Sequence, residues 1–188
     1  MISHELLLQL KARDTRLLEK IFRETNPYLL RMLAANGIFN ETAEDLLHQA
    51  WERFFSNLEK FAGRSEVRSF IGGILLNVIR EHRRAIGRIE LTDDSDGALE
   101  RAFSSGGLWQ TPTTDPSRLL ESAELGNLIK ECMEGLTTAQ RTAFVAKEVD
   151  EENSADVCNV LGVSVSNLRV LIFRAKEKLR QCLEGKLK

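Results

Sequence analysis

The sequence predicts an all-α chain: two small helical domains joined by a flexible linker, the second containing a helix-turn-helix. Three observations lead there. Apolar residues recur at helical spacing in both outer thirds of the chain. A Gly-, Pro- and acid-rich stretch between them has no sustained period. Alternation of the strand type is convincing nowhere. The first domain is placed at 1–86, the linker at 87–118 and the second domain at 119–188.

The elements can be taken in order. Two early helices, about 3–24 and 26–36, are expected to separate at Asn26-Pro27, because Pro suits a helix start. Gly37 can end the second of them. Leu46, Leu47, Ala50, Trp51, Phe54, Phe55 and Leu58 then form one wide stripe on a helix over about 42–59. The next helix runs from about Ser65 to Arg84, with Val67, Phe70, Ile71, Ile74, Leu75, Val78 and Ile79 inward and Asn77, Arg80, Arg83 and Arg84 outward. Gly72-Gly73 inside it cost about 1 kcal/mol each relative to Ala, which suggests close approach by backbone or ligand, or plain tolerance. The linker carries Gly87, Gly97, Gly106, Gly107, Pro112, Pro116 and the run Asp93-Asp94-Ser95-Asp96. It is too long for an ordinary connection within one compact domain.

In the second domain, Leu125, Leu128, Ile129, Cys132 and Leu136 mark a helix ending near Gly135. Thr137 or Thr138 can cap the next, which reaches about Val149. Asn153 with Asp156 three residues on resembles a capping box for a short helix through Leu161. Gly162 supplies a left-handed turn, and Ser164 can cap a long basic helix. Val165, Leu168, Ile172, Ala175, Leu179 and Cys182 make its expected inner face. Short helix, Gly turn, longer basic helix is the helix-turn-helix plan.

Composition narrows the chemistry. The chain has 188 residues, 43% hydrophobic and 29% charged, with net charge -2. Attraction of the whole molecule to a polyanion is excluded, so any nucleic-acid surface is local. Residues 60–88 hold seven basic and two acidic side chains, and residues 163–188 hold the same numbers. The stretch between them is acidic. Two basic helices with defined apolar faces point to two contacts with one polyanion. No apolar run approaches the roughly 18 residues of a membrane span, and the start lacks the pattern of a secretory signal. Cys132, Cys158 and Cys182 form no CxxC and are expected as reduced, buried thiols of a cytoplasmic protein. His and Cys never cluster, so no metal is expected. Neither a nucleophile pattern nor a phosphate-cradling Gly motif occurs, so the chain reads as no enzyme and as using no cofactor.

The residues suggest two binding devices. In a helix-turn-helix, the first turns of the second helix enter the major groove. Those positions are Ser164, Ser166, Asn167, Arg169, Phe173 and Arg174. Arg reads guanine and Asn adenine, while Ser and backbone N–H groups hold phosphate. In the first domain, Phe61 and Ala62-Gly63-Arg64-Ser65 form a short loop before the basic helix. A loop there suits unpaired bases, one flipped into an apolar pocket while Arg residues hold the backbone. Taken alone, Phe61 reads more readily as a core ring than as a base-stacking one.

With these residues in place, the chain resembles the extracytoplasmic-function branch of the bacterial sigma-70 family. Two segments carry the resemblance. The first is Ala43 to Arg84, AEDLLHQAWERFFSNLEKFAGRSEVRSFIGGILLNVIREHRR. The second lies within 136–184, in LTTAQRTAFVAKEV, VLGVSVSNLRV and FRAKEKLRQCLE. The resemblance implies a dissociable initiation subunit of RNA polymerase. Its first domain would bind the β′ clamp helices of core polymerase through Asp45, Gln49, Glu52, Arg53 and Asn57. The same domain would melt the promoter −10 element, with Phe61, Ile74 and Asn77 at a flipped base, Arg80, Arg83 and Arg84 on the DNA backbone, and Arg64 of the loop beside them. The second domain would sit on the β flap and read the −35 element with Ser164, Ser166, Asn167, Arg169, Phe173 and Arg174. An anti-sigma factor is the implied regulator. The chain departs from the family pattern at His48-Gln49, at Gly72 where a pocket aromatic is common, at Glu152 where an apolar residue is usual, and at Val170 and Leu171 where polar or basic residues are usual.

Two rival readings make different predictions. An operator-binding regulator using only the helix-turn-helix predicts a dimer on palindromic half-sites about one DNA turn apart. A helical protein-interaction module predicts no salt-dependent DNA affinity.

Overall fold

A computed structural model describes residues 2–87 and 123–186, and every described element is helical. In chain order these are α1 (His4–Lys11), α2 (Thr15–Ala35), α3 (Asn40–Ser56), a short 3₁₀ turn (Leu58–Lys60), α4 (Val67–Ala85), α5 (Ala123–Met133), α6 (Thr138–Phe144) continued by a π turn (Val145–Val149), α7 (Ser154–Leu161) and α8 (Val165–Lys186). The expected linker falls on residues that lie almost wholly outside the described ones. Among the described residues no single helix is long and apolar enough to cross a membrane.

The first break in the chain is not at Pro27. Helix α2 runs unbroken from Thr15 through Pro27 to Ala35. The break lies at Ala12–Asp14, where Arg13 takes a left-handed φ of 56° and the Asp14 carboxylate accepts from the Leu17 N–H at 2.8 Å. An N-cap of that kind is worth about 1 kcal/mol and sets the start of α2. Proline inside a helix normally costs about 3 kcal/mol, so packing along α2 overrides the local preference. That packing includes buried Tyr28, Leu29, Met32 and Leu33.

Rings line the first half of the molecule. Phe22 lies against Trp51 (5.0 Å between centroids), Trp51 meets Phe54 edge-on (5.7 Å), Phe54 meets Phe70 (6.2 Å), and Phe70 lies 4.6 Å from Phe61. Trp51 hydrogen-bonds through Nε1 to the Asn26 side chain at 2.9 Å, so its one polar atom is satisfied. The loop after α3 is tied back by the Ile2 N–H, which donates to the Gly63 carbonyl.

The second half is tied by more local devices. Thr137 and Gln140 form a reciprocal capping box at the start of α6. Arg141 donates to the carbonyls of Glu134 and Leu136 at 2.8 and 2.9 Å, closing the chain end that follows α5. Asn153 caps α7 through the Ala155 N–H at 2.8 Å, an Asx turn rather than the expected capping box. Gly162 has φ 69°, the left-handed turn expected there. The Ser164 hydroxyl accepts from the Asn167 N–H and caps α8. Val165, expected inward, is 48% exposed at the helix start.

The cysteines differ from the expectation. Cys132 of α5 and Cys182 of α8 form a disulfide, and Cys158 on α7 is free. Their separation of 50 residues conceals a pairing that needs α5 and α8 side by side.

The two halves share a core. Ile71, Leu75 and Leu76 belong to the same apolar cluster as Val157, Val160, Leu161, Leu168 and Leu171. A smaller cluster, Ile129, Leu136, Phe144, Ala175, Leu179 and Leu183 around the disulfide, belongs to the second half alone. Leu171 and Val170 are both buried, which places these departures from the family pattern against protein.

Candidate nucleic-acid interface

The periodicity of α4 explains the site in the first half. Ile71, Leu75, Val78 and Ile79 bury one side of the helix. Ile74, Asn77 and Arg80 are left on another side, where they meet Arg64 of the preceding loop. These four expected −10 residues line one cleft of about 500 Å³, together with Ser65, Ser69, Phe70 and Gly73, and Asn159, Val160, Leu161 and Gly162 of the second half form its facing wall. Asn77 accepts a hydrogen bond from Arg80 at 3.4 Å, so an amide and a guanidinium lie side by side on the rim. Such a rim can bind a base edge and a phosphate at once.

The remaining expected residues of that set are placed differently. Phe61 is buried at 3% exposure and packs on Phe70, so its ring belongs to the core. Arg83 is turned inward: it is buried and donates to the Asn36 carbonyl at 2.8 Å. The outward face drawn from periodicity misplaces it, because the carbonyl at the end of α2 gives this guanidinium an internal acceptor. Arg84 is exposed on the last turn of α4.

On α3, Asp45, Gln49 and Glu52 are exposed at steps of four and three, one edge of the helix. Arg53 is half-buried and held by both Glu81 oxygens of α4, at 3.0 and 2.6 Å. The hydrogen-bonded guanidinium holds the Glu81 carboxyl below the usual carboxylate range. Asn57 donates to the Arg53 carbonyl at 2.8 Å and ends the helix.

On α8, Ser164, Ser166, Asn167 and Arg169 are exposed together on the first turn and a half. Phe173 is half-buried and Arg174 is buried. Arg174 therefore departs from its expected place in the groove-facing set. It lies one residue before Ala175, which is wholly buried in the second core.

Sequence reasoning missed a second set of polar residues, which join the halves. Arg68 meets Glu152 at 2.6 Å and lies over the Tyr28 ring, 5.1 Å from its centroid. Ser69 donates to Asp156 at 3.1 Å, and Arg31 pairs with Asp150 at 3.0 Å. Burial pushes the Tyr28 hydroxyl up to about 12, with Glu152 adding to the rise and Arg68 opposing it. Asn36 donates to Thr142 at 3.3 Å, while its carbonyl receives both Arg83 and Arg141. The signal was there as charge: a basic α4 and an acidic stretch, 148–156, with no pattern in sequence to say that they meet.

Among the described residues there is no group of three or more His, Cys, Asp or Glu that could hold a metal ion.

Comparison with known proteins gives the site its context. Residues 126–179 match the family model "Sigma-70, region 4". A probable RNA polymerase sigma factor of Haemophilus influenzae is 30% identical over 155 residues, covering 78% of this chain and 79% of that one. The ECF RNA polymerase sigma-E factor of Escherichia coli K12 is 26% identical over 135 residues, covering 72% and 70%. Among solved structures, CnrH in complex with the cytosolic domain of CnrY superposes with a TM-score of 0.64 at 19% identity, covering 96% of each chain. The sigma factor RpoE in complex with the anti-sigma factor NepR, from Bartonella quintana, gives 0.61 at 17%, covering 89% and 96%. The region 4 helix-turn-helix, the helical fold of the described residues and the extent of the match agree, and this chain belongs to the extracytoplasmic-function RNA polymerase sigma factors.

Proposed function

We propose that this sigma factor works through surfaces on two domains, 1–86 and 119–188. The exposed edge of α3, Asp45, Gln49 and Glu52 with Arg53 and Asn57 behind it, docks on the β′ clamp helices of core RNA polymerase. The α4 cleft takes the melted −10 strand: Ile74 and Asn77 receive an unstacked base, and Arg64, Arg80 and Arg84 hold phosphates. The first turns of α8 present Ser164, Ser166, Asn167 and Arg169 to the −35 duplex, while the second domain rests on the β flap. The molecule acts in the cytoplasm, without catalytic residues of its own, and an anti-sigma factor controls it. The RpoE structure, which holds an anti-sigma factor, supports that last point by likeness.

One observation carries the reading: an aliphatic side chain, an amide and two guanidinium groups, from α4 and the loop just before it, line a single cleft beside the basic helix. A single strand needs that combination of apolar floor and cationic rim.

Run-off transcription with core polymerase on a genomic promoter library tests it. The expected result is discrete new start sites only when this chain is added. Arg169→Ala should cost about 1–3 kcal/mol of promoter affinity and relax one −35 position. Specific duplex binding without core polymerase, and no complex with core, would overturn the reading in favour of an operator-binding regulator.

A further inference from the structure

We infer that α1 is a positioning element for promoter recognition: Ile2, Leu7 and Lys11 fix the Phe61–Ser65 loop, and through it the place of Arg64 at the cleft. The inference rests on the proposed role of that cleft.

The loop has to be held from outside. It joins the 3₁₀ turn at Leu58–Lys60 to α4, which starts at Val67, and no helix or strand fixes residues 61–66. Such a segment keeps its backbone freedom unless contacts from elsewhere remove it. What it carries is Arg64, exposed on the loop and one of the four recognition residues that line the cleft. A guanidinium placed in advance binds a phosphate without first losing that freedom.

Helix α1 supplies the contacts from both of its ends. Just before it, the Ile2 N–H donates to the Gly63 carbonyl at 3.2 Å. At its last residue, Lys11 donates through Nζ to the Glu59 carbonyl at 3.0 Å, just ahead of the loop. Between them, side chains close on Gly63: a Cβ there would stand 3.1 Å from Cγ1 of Ile2 and 3.5 Å from a Leu7 methyl. Gly63 also has a left-handed φ of 68°, so the chain turns at this residue and Arg64 leaves it in the new direction. Glycine at 63 answers two demands at once, the turn and the nearness of α1.

The helix is itself anchored. Ser3 caps it by accepting from the Leu6 N–H, Leu10 is wholly buried in the main core, and Ile2 and Leu7 pack against that core. On the other side of the loop, Phe61 lies 4.6 Å from Phe70 of α4. The loop is thus gripped between α1 and α4, while Ala62 and Arg64 stay exposed. Both hydrogen bonds from the N-terminal segment end on backbone carbonyls, so exchanging the Arg64 side chain leaves them in place.

The test is a double-mutant cycle between α1 and Arg64. Four proteins are compared: wild type, Arg64→Ala, Leu7→Ala with Lys11→Met, and all three changes together. Each is assembled with core polymerase and titrated with a single-stranded oligonucleotide carrying the −10 sequence of a promoter found by run-off transcription. All four should bind core equally. Arg64→Ala should weaken strand binding about fivefold in the wild type and hardly at all in the α1 variant, which should itself bind about fivefold more weakly. Lys11→Met alone leaves the apolar contacts of α1 intact, so it guards against misfolding. It should show the same coupling on a smaller scale, and Lys11→Arg should restore binding.

A merely structural role for α1 would lower the melting temperature and leave the Arg64 loss at about fivefold in both backgrounds, which would overturn the inference. Unchanged strand affinity in the α1 variant would overturn it too, as would a loss on Asn77→Ala and Arg80→Ala without one on Arg64→Ala. Failure of the wild type to bind core, or unchanged strand affinity in all three cleft variants, would instead bring down the proposed function, and the inference with it.

Discussion

The two halves of this molecule are stabilised in different ways. The first is held by a ring-rich interior running from Phe22 through Trp51 and Phe54 to Phe70 and Phe61. It needs no covalent tie. The second half has a private core of a few aliphatic residues and Phe144. It adds a disulfide, a reciprocal capping box and the Arg141 clamp, and it places Val157, Val160, Leu161, Leu168 and Leu171 in the first half's interior. A helical unit of that size buries too little to stand firmly by itself. The comparison teaches that a small helical unit gains order from staples and from its neighbour. Its stability and its attachment are therefore linked.

The comparison can be broken at its strongest point first. Phe54 is fully buried at the crossing of the rings. Phe54→Ala should cost about 3–5 kcal/mol, and urea unfolding should show both halves lost together because they share the cluster. Independent unfolding of the second half at its original midpoint would show that the shared cluster does not couple them.

Removing the staple should act on one side only. The disulfide closes a loop of 50 residues that contains most of the second half. Reduction, or Cys132→Ser with Cys182→Ser, should cost about 2–4 kcal/mol there. Hydrogen exchange should rise in α5 and α8 while α3 keeps its protection. Equal acceleration in α3 would contradict the division of labour.

Asn36→Ala comes next, at about 1–3 kcal/mol. It removes a buried amide that donates to both the Met32 carbonyl and Thr142, one in each half. Thermal melts should move down with a single transition. The smallest effect belongs to the surface pair Arg53–Glu81, worth about 0.2–1 kcal/mol. Arg53 holds the folded-state pKa of Glu81 below its ordinary value. The pair therefore contributes above the unfolded pKa of Glu81 and loses its contribution as pH falls through the folded one. Arg53→Ala should weaken the protein slightly at pH 7 and not at all in strong acid. A difference that persists in acid would show that the guanidinium acts by packing.

Much of the fold is legible in the residues. The stripes on α3 and α4 come from apolar spacing alone, as do the Gly162 turn and the cap at Ser164 from local chemistry. Local signals fail where tertiary packing outweighs them. Pro27 stays inside α2, because the helix is held along its length and Asp14 supplies a better start. Periodicity and basic character point Arg83 and Arg174 outward, yet both are buried, Arg83 on a backbone acceptor. The disulfide joins cysteines from helices whose adjacency no local pattern encodes. Gly72 and Gly73 leave close approach and plain tolerance both open in sequence, and the fold decides for close approach, by Tyr28 and Val160.

The π turn at Val145–Val149 has a consequence for how the chain is joined across its middle. Here the Asp150 N–H reaches back five residues to the Val145 carbonyl, and the Glu152 N–H bonds the Ala146 carbonyl. The wider turn holds one residue more than an α-turn would. Asp150 closes this turn and Glu152 follows two residues later, so the wider winding sets where both carboxylates leave the helix. From there they reach Arg31 and Arg68 of the first half. The length of this one turn, and not only the identity of the contacting residues, therefore bears on how the two halves of such a chain meet.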